Sequence, residues 1–396
     1  MSSPFEKVEL LKKEFPSKIL NFGIVCFILG IVLLTAGYFV DHTRAAFNNL
    51  VILMVLISVG LGALFFIGIE YLAGAVWSTV FRRIPEFLAA VLLVVPFVAI
   101  PVYLNYHGLY HWAHEEAVQS DAILKSKSGY LNINFFTIRL IFYFLIWIGF
   151  YLFLSHNSKK QDITKDSKLS KINIRTSAIM MPFYAITVTF SAIDLIMSLE
   201  PHWFSTIIGV YYFSGTLLAG LAAATFFIVY LNEKGYFVKG VVSDHYYSLG
   251  AFLFAFTNFW AYIAFSQFLL IWYANLPEET YWYLNRWEGS WIYFSIALVV
   301  IRFLVPYFYL LSQPSKTNPK KLMIASIWIF FAHIIDIFWL AMPTFSKNSV
   351  NLGWMELSIP LLSLGIIIVV VYFKYKSNNL IPVGDPKLKS SIDFRL

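Results

Sequence analysis

Two aspartates lie inside long apolar runs. A carboxylate there needs a cationic partner, hydrogen-bond donors or a task such as carrying protons. The first is Asp194 in SAIDLIMSLEPHWFS (Ser191 to Ser205), seven residues before Pro201. The second is Asp336 in HIIDIFWLAMPTFS (His333 to Ser346), seven residues before Pro343. Each follows a segment with one arginine in similar surroundings: IRLIFYF (Ile138 to Phe144) holds Arg139, and IRFLVPYF (Ile301 to Phe308) holds Arg302. His333 is three residues from Asp336, on the same face of a helix. Carboxylates and a histidine can relay protons when their surroundings tune them. Buried arginine–aspartate pairs can equally do no more than fix helix register. The recurrence of arginine segment, aspartate segment and proline predicts an internal repeat. Glu70 is a further acid in an apolar run, in the half of the chain's second run that leads to Arg82 and Arg83.

The elements that hold these residues are membrane helices. The chain has 396 residues, 59% hydrophobic and 13% charged, against about a quarter charged in a soluble protein. Apolar runs cover 18–40, 48–76, 84–107, 133–155, 174–199, 205–231, 246–274, 289–312, 320–343 and 355–376. Each can cross a ~30 Å hydrocarbon core, and none alternates as a barrel strand does. The expectation is an all-α integral membrane protein of ten transmembrane helices. Residues 1–47 make a surface segment and the first span, 48–200 a four-helix bundle (spans two to five), and 201–345 a second (spans six to nine). Residues 346–396 make the last span and a tail. Of 29 lysines and arginines, 22 fall on the side of the N-terminus, five on the opposite side and two within spans. Both termini are therefore expected in the cytoplasm. This asymmetry accounts for the net charge of +7 without nucleic-acid binding. At 1.5 Å per residue, Arg139 and Asp194 both lie about 8–9 Å from the outer ends of their spans, so they are expected to pair.

Other polar features read more simply. Cys26 is a lone thiol inside the first span, which excludes a structural disulfide and a CxxCH haem attachment. His107, His111 and His114 fall in an outer loop, where interfacial contacts are the plain reading and no metal is expected. Only His333 lies deep in a span, so a bis-histidine haem is disfavoured. The stretch Phe5 to Phe15 reads as a surface helix, and Arg82 and Arg83 as cytoplasmic-side anchors. Residues 108–132 form a long outer loop of the kind that docks partners. No phosphate loop or catalytic triad is present.

The segments VWSTVFRRIPEF (76–87), LYHWAH (109–114), SLEPHWFSTIIGVYYFSG (198–215) and FSQFLLIWYANLPEET (265–280), with the ten spans and paired bundles, carry a resemblance over almost the whole chain. It resembles the smaller polysulfide-reductase-type (NrfD-like) membrane subunit of bacterial alternative complex III, a quinol:electron-acceptor oxidoreductase. The resemblance implies a multi-pass inner-membrane protein beside a sister NrfD-like, quinol-binding subunit. It also implies an iron–sulfur, molybdopterin-like periplasmic subunit, multihaem cytochrome c subunits, lipids and in some assemblies a terminal oxidase. Menaquinol, iron–sulfur clusters and c-type haems belong to those partners; the smaller subunit is regarded as cofactor-free, with proton half-channels.

The leading expectation is thus a subunit that anchors the complex and conducts protons through Asp194, His333, Asp336, Arg139, Arg302 and Glu70, without redox catalysis of its own. One alternative is direct menaquinol binding near His202 or His333. A second is an autonomous secondary transporter, against which stands the lack of a Gly-rich, unwound mid-span segment.

Overall fold

The computed structural model describes residues 13–237 and 241–396. All its regular elements are helical, and ten helices are long and apolar enough to cross a membrane. In chain order they are α1 (Ser17–Val40), α2 (His42–Leu72), α3 (Arg83–Leu104), α4 (Ile133–Thr164), α5 (Lys168–Leu199), α6 (Ile208–Glu233), α7 (Ser243–Ala274), α8 (Trp291–Leu311), α9 (Pro319–Phe345) and α10 (Ser358–Ser377). The surface helix expected over Phe5 to Phe15 lies, up to residue 12, outside the described residues. Phe15 itself is buried edge-on against Tyr372 and Tyr375 of α10.

The packing centres on α2 and α6, which are enclosed along almost their whole length. They cross so closely that a Cβ on Gly62 would strike the Thr216 carbonyl and the Gly220 backbone. Small residues at such a seam let two backbones touch, which is how helices associate where lipid is as apolar as leucine. α9 packs on α6, α5 on α2 and α4, and α8 on α7 and α9. α1 lies outermost, most of its surface free of the rest of the chain, and clasps α10 through Gly23 and Gly30.

Proline sets the irregular turns. Pro96 lacks the N–H that would bond the Leu92 carbonyl, and a 3₁₀ stretch, Ala90–Leu93, precedes it in α3. α5 ends in a 3₁₀ turn, Met197–Leu199, just before Pro201. In α8 Pro306 stands four residues after Arg302 and cannot bond its carbonyl; Val300–Leu304 widens into a π turn. The first arginine segment has no such proline, and Arg139 sits in regular helix.

The loop of residues 108–132 is folded into short helices, including Glu115–Ser120 and Ala122–Lys127. α4 continues beyond the expected membrane exit to Thr164 and ends with Lys165 in the left-handed conformation.

Candidate functional site: two buried arginine–aspartate clusters

In the first cluster Asp194 is fully buried and held on every side. Arg139 donates through Nε and Nη2 to its two oxygens at 2.8 and 2.9 Å, and the Tyr143 hydroxyl donates to Oδ2 at 2.7 Å. Tyr143 is four residues from Arg139, so one face of α4 presents both donors. The remaining Arg139 nitrogen, Nη1, donates to the Tyr130 carbonyl at 2.9 Å, and the guanidinium lies 3.8 Å from the centre of the Tyr130 ring. Every guanidinium nitrogen and both carboxylate oxygens thus have a partner. A bidentate arginine–carboxylate pair with added donors is the strong form of a buried ion pair.

The second cluster has the same residue types in a looser arrangement. Arg302, on the π turn of α8, brings Nε to 3.1 Å from Oδ2 of Asp336 on α9. That N–H is not aimed at the oxygen, and Nε and Nη1 of Arg302 have no hydrogen-bond partner. The aligned bond to Asp336 comes from α6, where the Tyr211 hydroxyl donates to Oδ1 at 2.6 Å. Arg302 Nη2 donates to His333 Nδ1 at 3.0 Å. An accepting Nδ1 carries no proton, so the imidazole hydrogen sits on Nε2, which is buried without a partner. The Arg302 guanidinium also lies 4.7 Å from the Trp260 ring of α7. Room for this arrangement comes from Gly215, where a Cβ would stand 3.0 Å from Arg302 Nη2 and 3.3 Å from His333 Nδ1. Arg302, His333 and Asp336 are all at most 1% exposed. A buried polar network left partly unpaired is costly and draws attention to what completes it.

Glu70 belongs to neither cluster. It sits at the end of α2, where Arg82 Nε donates to its Oε1 at 2.6 Å while Oε2 stays unpartnered. Arg82 also bonds Asp385 of the tail at 2.6 Å and the Tyr71 hydroxyl at 3.0 Å. Arg83 pairs with Glu86 at 2.5 Å and Asp162 at 2.6 Å. These two arginines, expected as interfacial anchors, are therefore fully buried members of an ionic network closed by the C-terminal segment. An Arg-Arg pair at the end of an apolar run looks the same in sequence whether headgroups or distant acids receive it.

No protein-family profile and no curated protein matches the chain.

His202 and His333, the alternative positions named for quinone binding, sit in different settings. His202 bonds Asp121 at 2.5 Å near the surface, whereas His333 is enclosed. The hydrogen bond from His202, with those from the Leu124 and Ile123 amides, holds the Asp121 carboxyl below the usual range. The His107 and His114 rings lie 5.4 Å apart, and His114 Nε2 bonds the His107 carbonyl. Among the described residues no group of three or more His, Cys, Asp or Glu is placed to hold a metal ion. Sequence reasoning missed Tyr143 and Tyr211. The first was visible in the i, i+4 spacing from Arg139; the second comes from another helix and left no local signal.

Proposed function

We propose that this chain is a cofactor-free membrane subunit of a bacterial respiratory quinol oxidoreductase, anchoring the complex and conducting protons through its second polar cluster. In this reading both termini face the cytoplasm, and α2–α5 and α6–α9 are the two bundles of a duplicated unit. The first cluster acts as a rigid lock, and the second, reached from the outer side, takes up and releases protons at Asp336. Glu70 and the tail network form the inner-side counterpart. The sequence resemblance supports the setting in a respiratory complex.

The observation that carries the reading is the contrast between the clusters. Arginine and carboxylate are saturated around Asp194, whereas around Asp336 Arg302 Nε and Nη1 and the additional His333 Nε2 are unpaired. Unpaired donors facing a carboxylate and a neutral imidazole are what a transient water or proton would complete. The test is Asp336→Asn in the intact complex reconstituted into vesicles. Proton translocation should fall while electron transfer continues; equal loss of both with intact assembly would place Asp336 in the electron-transfer path.

A further inference from the structure

α7 and α8 part along one leaflet's depth and leave a cleft of about 580 Å³, within the ~300–1,000 Å³ typical of ligand pockets. Its rim faces outward: Tyr262 is 67% and Phe265 61% exposed. Its floor is closed by Trp260, Leu298 and Tyr211, each under 5% exposed. One end meets Tyr283 and Trp287 in the segment between the two helices, aromatic residues of the kind that sit at headgroup level. The other reaches Phe303 and Leu304 on the π turn, thirteen residues into α8. That is about 20 Å of helix, against about 15 Å for half a hydrocarbon core.

The walls ask for hydrocarbon. Several of the polar groups that line the cleft are engaged inside the protein: Tyr211 donates to Asp336, Asn258 to the Phe254 carbonyl, and Ser295 to the Arg286 carbonyl while accepting from Trp339. No charged side chain lines it. The Trp260 ring stands between the cleft and Arg302.

We propose that this cleft is a lipid-binding site, holding one acyl chain of a phospholipid whose headgroup rests at the Trp287 end. The chain fills a groove that is open sideways to the bilayer, as long as a leaflet is deep and lined mainly by aromatic and aliphatic side chains, with no charged one among them. Seated there, it backs Tyr211 and Trp260 and keeps the Asp336 cluster dry from the membrane side. The site follows from the membrane-spanning fold and does not depend on the proposed function.

The test uses the chain in its native membrane assembly, transferred to vesicles containing phosphatidylcholine with a mid-chain diazirine. After irradiation, labelled residues are mapped by mass spectrometry. Adducts are expected at the floor, on Leu298 and Trp260, as well as on the outward residues Phe22 and Val25 of α1. Ala264→Trp, which fills the cleft, should abolish the floor adducts and leave those on α1; Ala261→Phe, a milder filling, should weaken them. Label on α1 with none on the floor would mean that a protein partner covers the cleft, and would overturn the proposal. Floor label displaced by an added naphthoquinone would overturn it as well, assigning the cleft to a ring-bearing ligand.

Discussion

Arg302 meets Asp336 with Nε 3.1 Å from Oδ2 but with its N–H pointing elsewhere, whereas Arg139 grips Asp194 through two aligned bonds at 2.8 and 2.9 Å. The same two residue types in two similar segments thus give one saturated pair and one slack pair. The difference begins with Pro306, which turns the second arginine segment into a π turn, and with Gly215, which admits the displaced guanidinium.

Asp194→Asn should destabilise the protein by about 3–5 kcal/mol, the usual effect of stranding one member of a buried pair. Asp336→Asn should cost less, because Arg302 makes no aligned hydrogen bond to that carboxylate that the change would break. Thermal unfolding of the detergent-solubilised variants checks the order; equal losses would contradict it.

The two tyrosines should separate in the same way. Tyr143→Phe removes a donor to a buried carboxylate and should cost about 1.5–3 kcal/mol, with no change in proton translocation. Tyr211→Phe should lower translocation, because it removes the aligned hydroxyl bond to Asp336. Unfolding and vesicle assays on both variants give the comparison.

At Gly215 a methyl group presses on Arg302 Nη2 and His333 at 3.0–3.3 Å. Gly215→Ala should cost about 1–3 kcal/mol, as overpacking does, and reduce translocation. Gly62→Ala meets backbone of α6 instead and should deplete folded protein. Yield and unfolding temperature distinguish the two.

The reach of the sequence can be followed through these residues. Ten spans were legible because each is an unbroken apolar run, and the Arg139–Asp194 pair because helix rise fixes both depths. Helix ends were less legible. α2 begins at His42, where Asp41 accepts from the Arg44 amide, and α4 runs on to Thr164 because Ser158 and Gln161 are buried against other parts of the chain. Partners distant in sequence were not legible. Asp385 lies 303 residues from Arg82, and Tyr211 is 125 residues from Asp336. The π turn could have been suspected from Pro306, but its effect on Arg302 needs the neighbouring helices.

The Arg82–Asp385 bond ties the tail to α3, and the Ser391 hydroxyl accepts from the Val80 amide beside it. Asp385→Asn should release the C-terminal segment to limited proteolysis while the ten helices stay folded. Unchanged cleavage would show that the other tail contacts, at Gly384 and Ser391, suffice to hold it.

The Asp121–His202 contact gives a pH effect outside the membrane helices. Its carboxyl is depressed in the folded protein. Its contribution is therefore present above the ordinary aspartate value of about 3.9 and is lost as pH falls through the lower folded value. Hydrogen exchange at residues 121–127 should stay slow down to about pH 4 and quicken below it. Asp121→Ala, which removes the side-chain acceptor of the Ile123 and Leu124 amides, should give fast exchange at every pH.

The central claim is tested by counting protons per electron in vesicles containing the intact complex with Asp336→Asn. The account predicts that proton translocation collapses while quinol oxidation continues with the complex assembled. Loss of both together, with the complex falling apart, would contradict it and return Asp336 to a structural role.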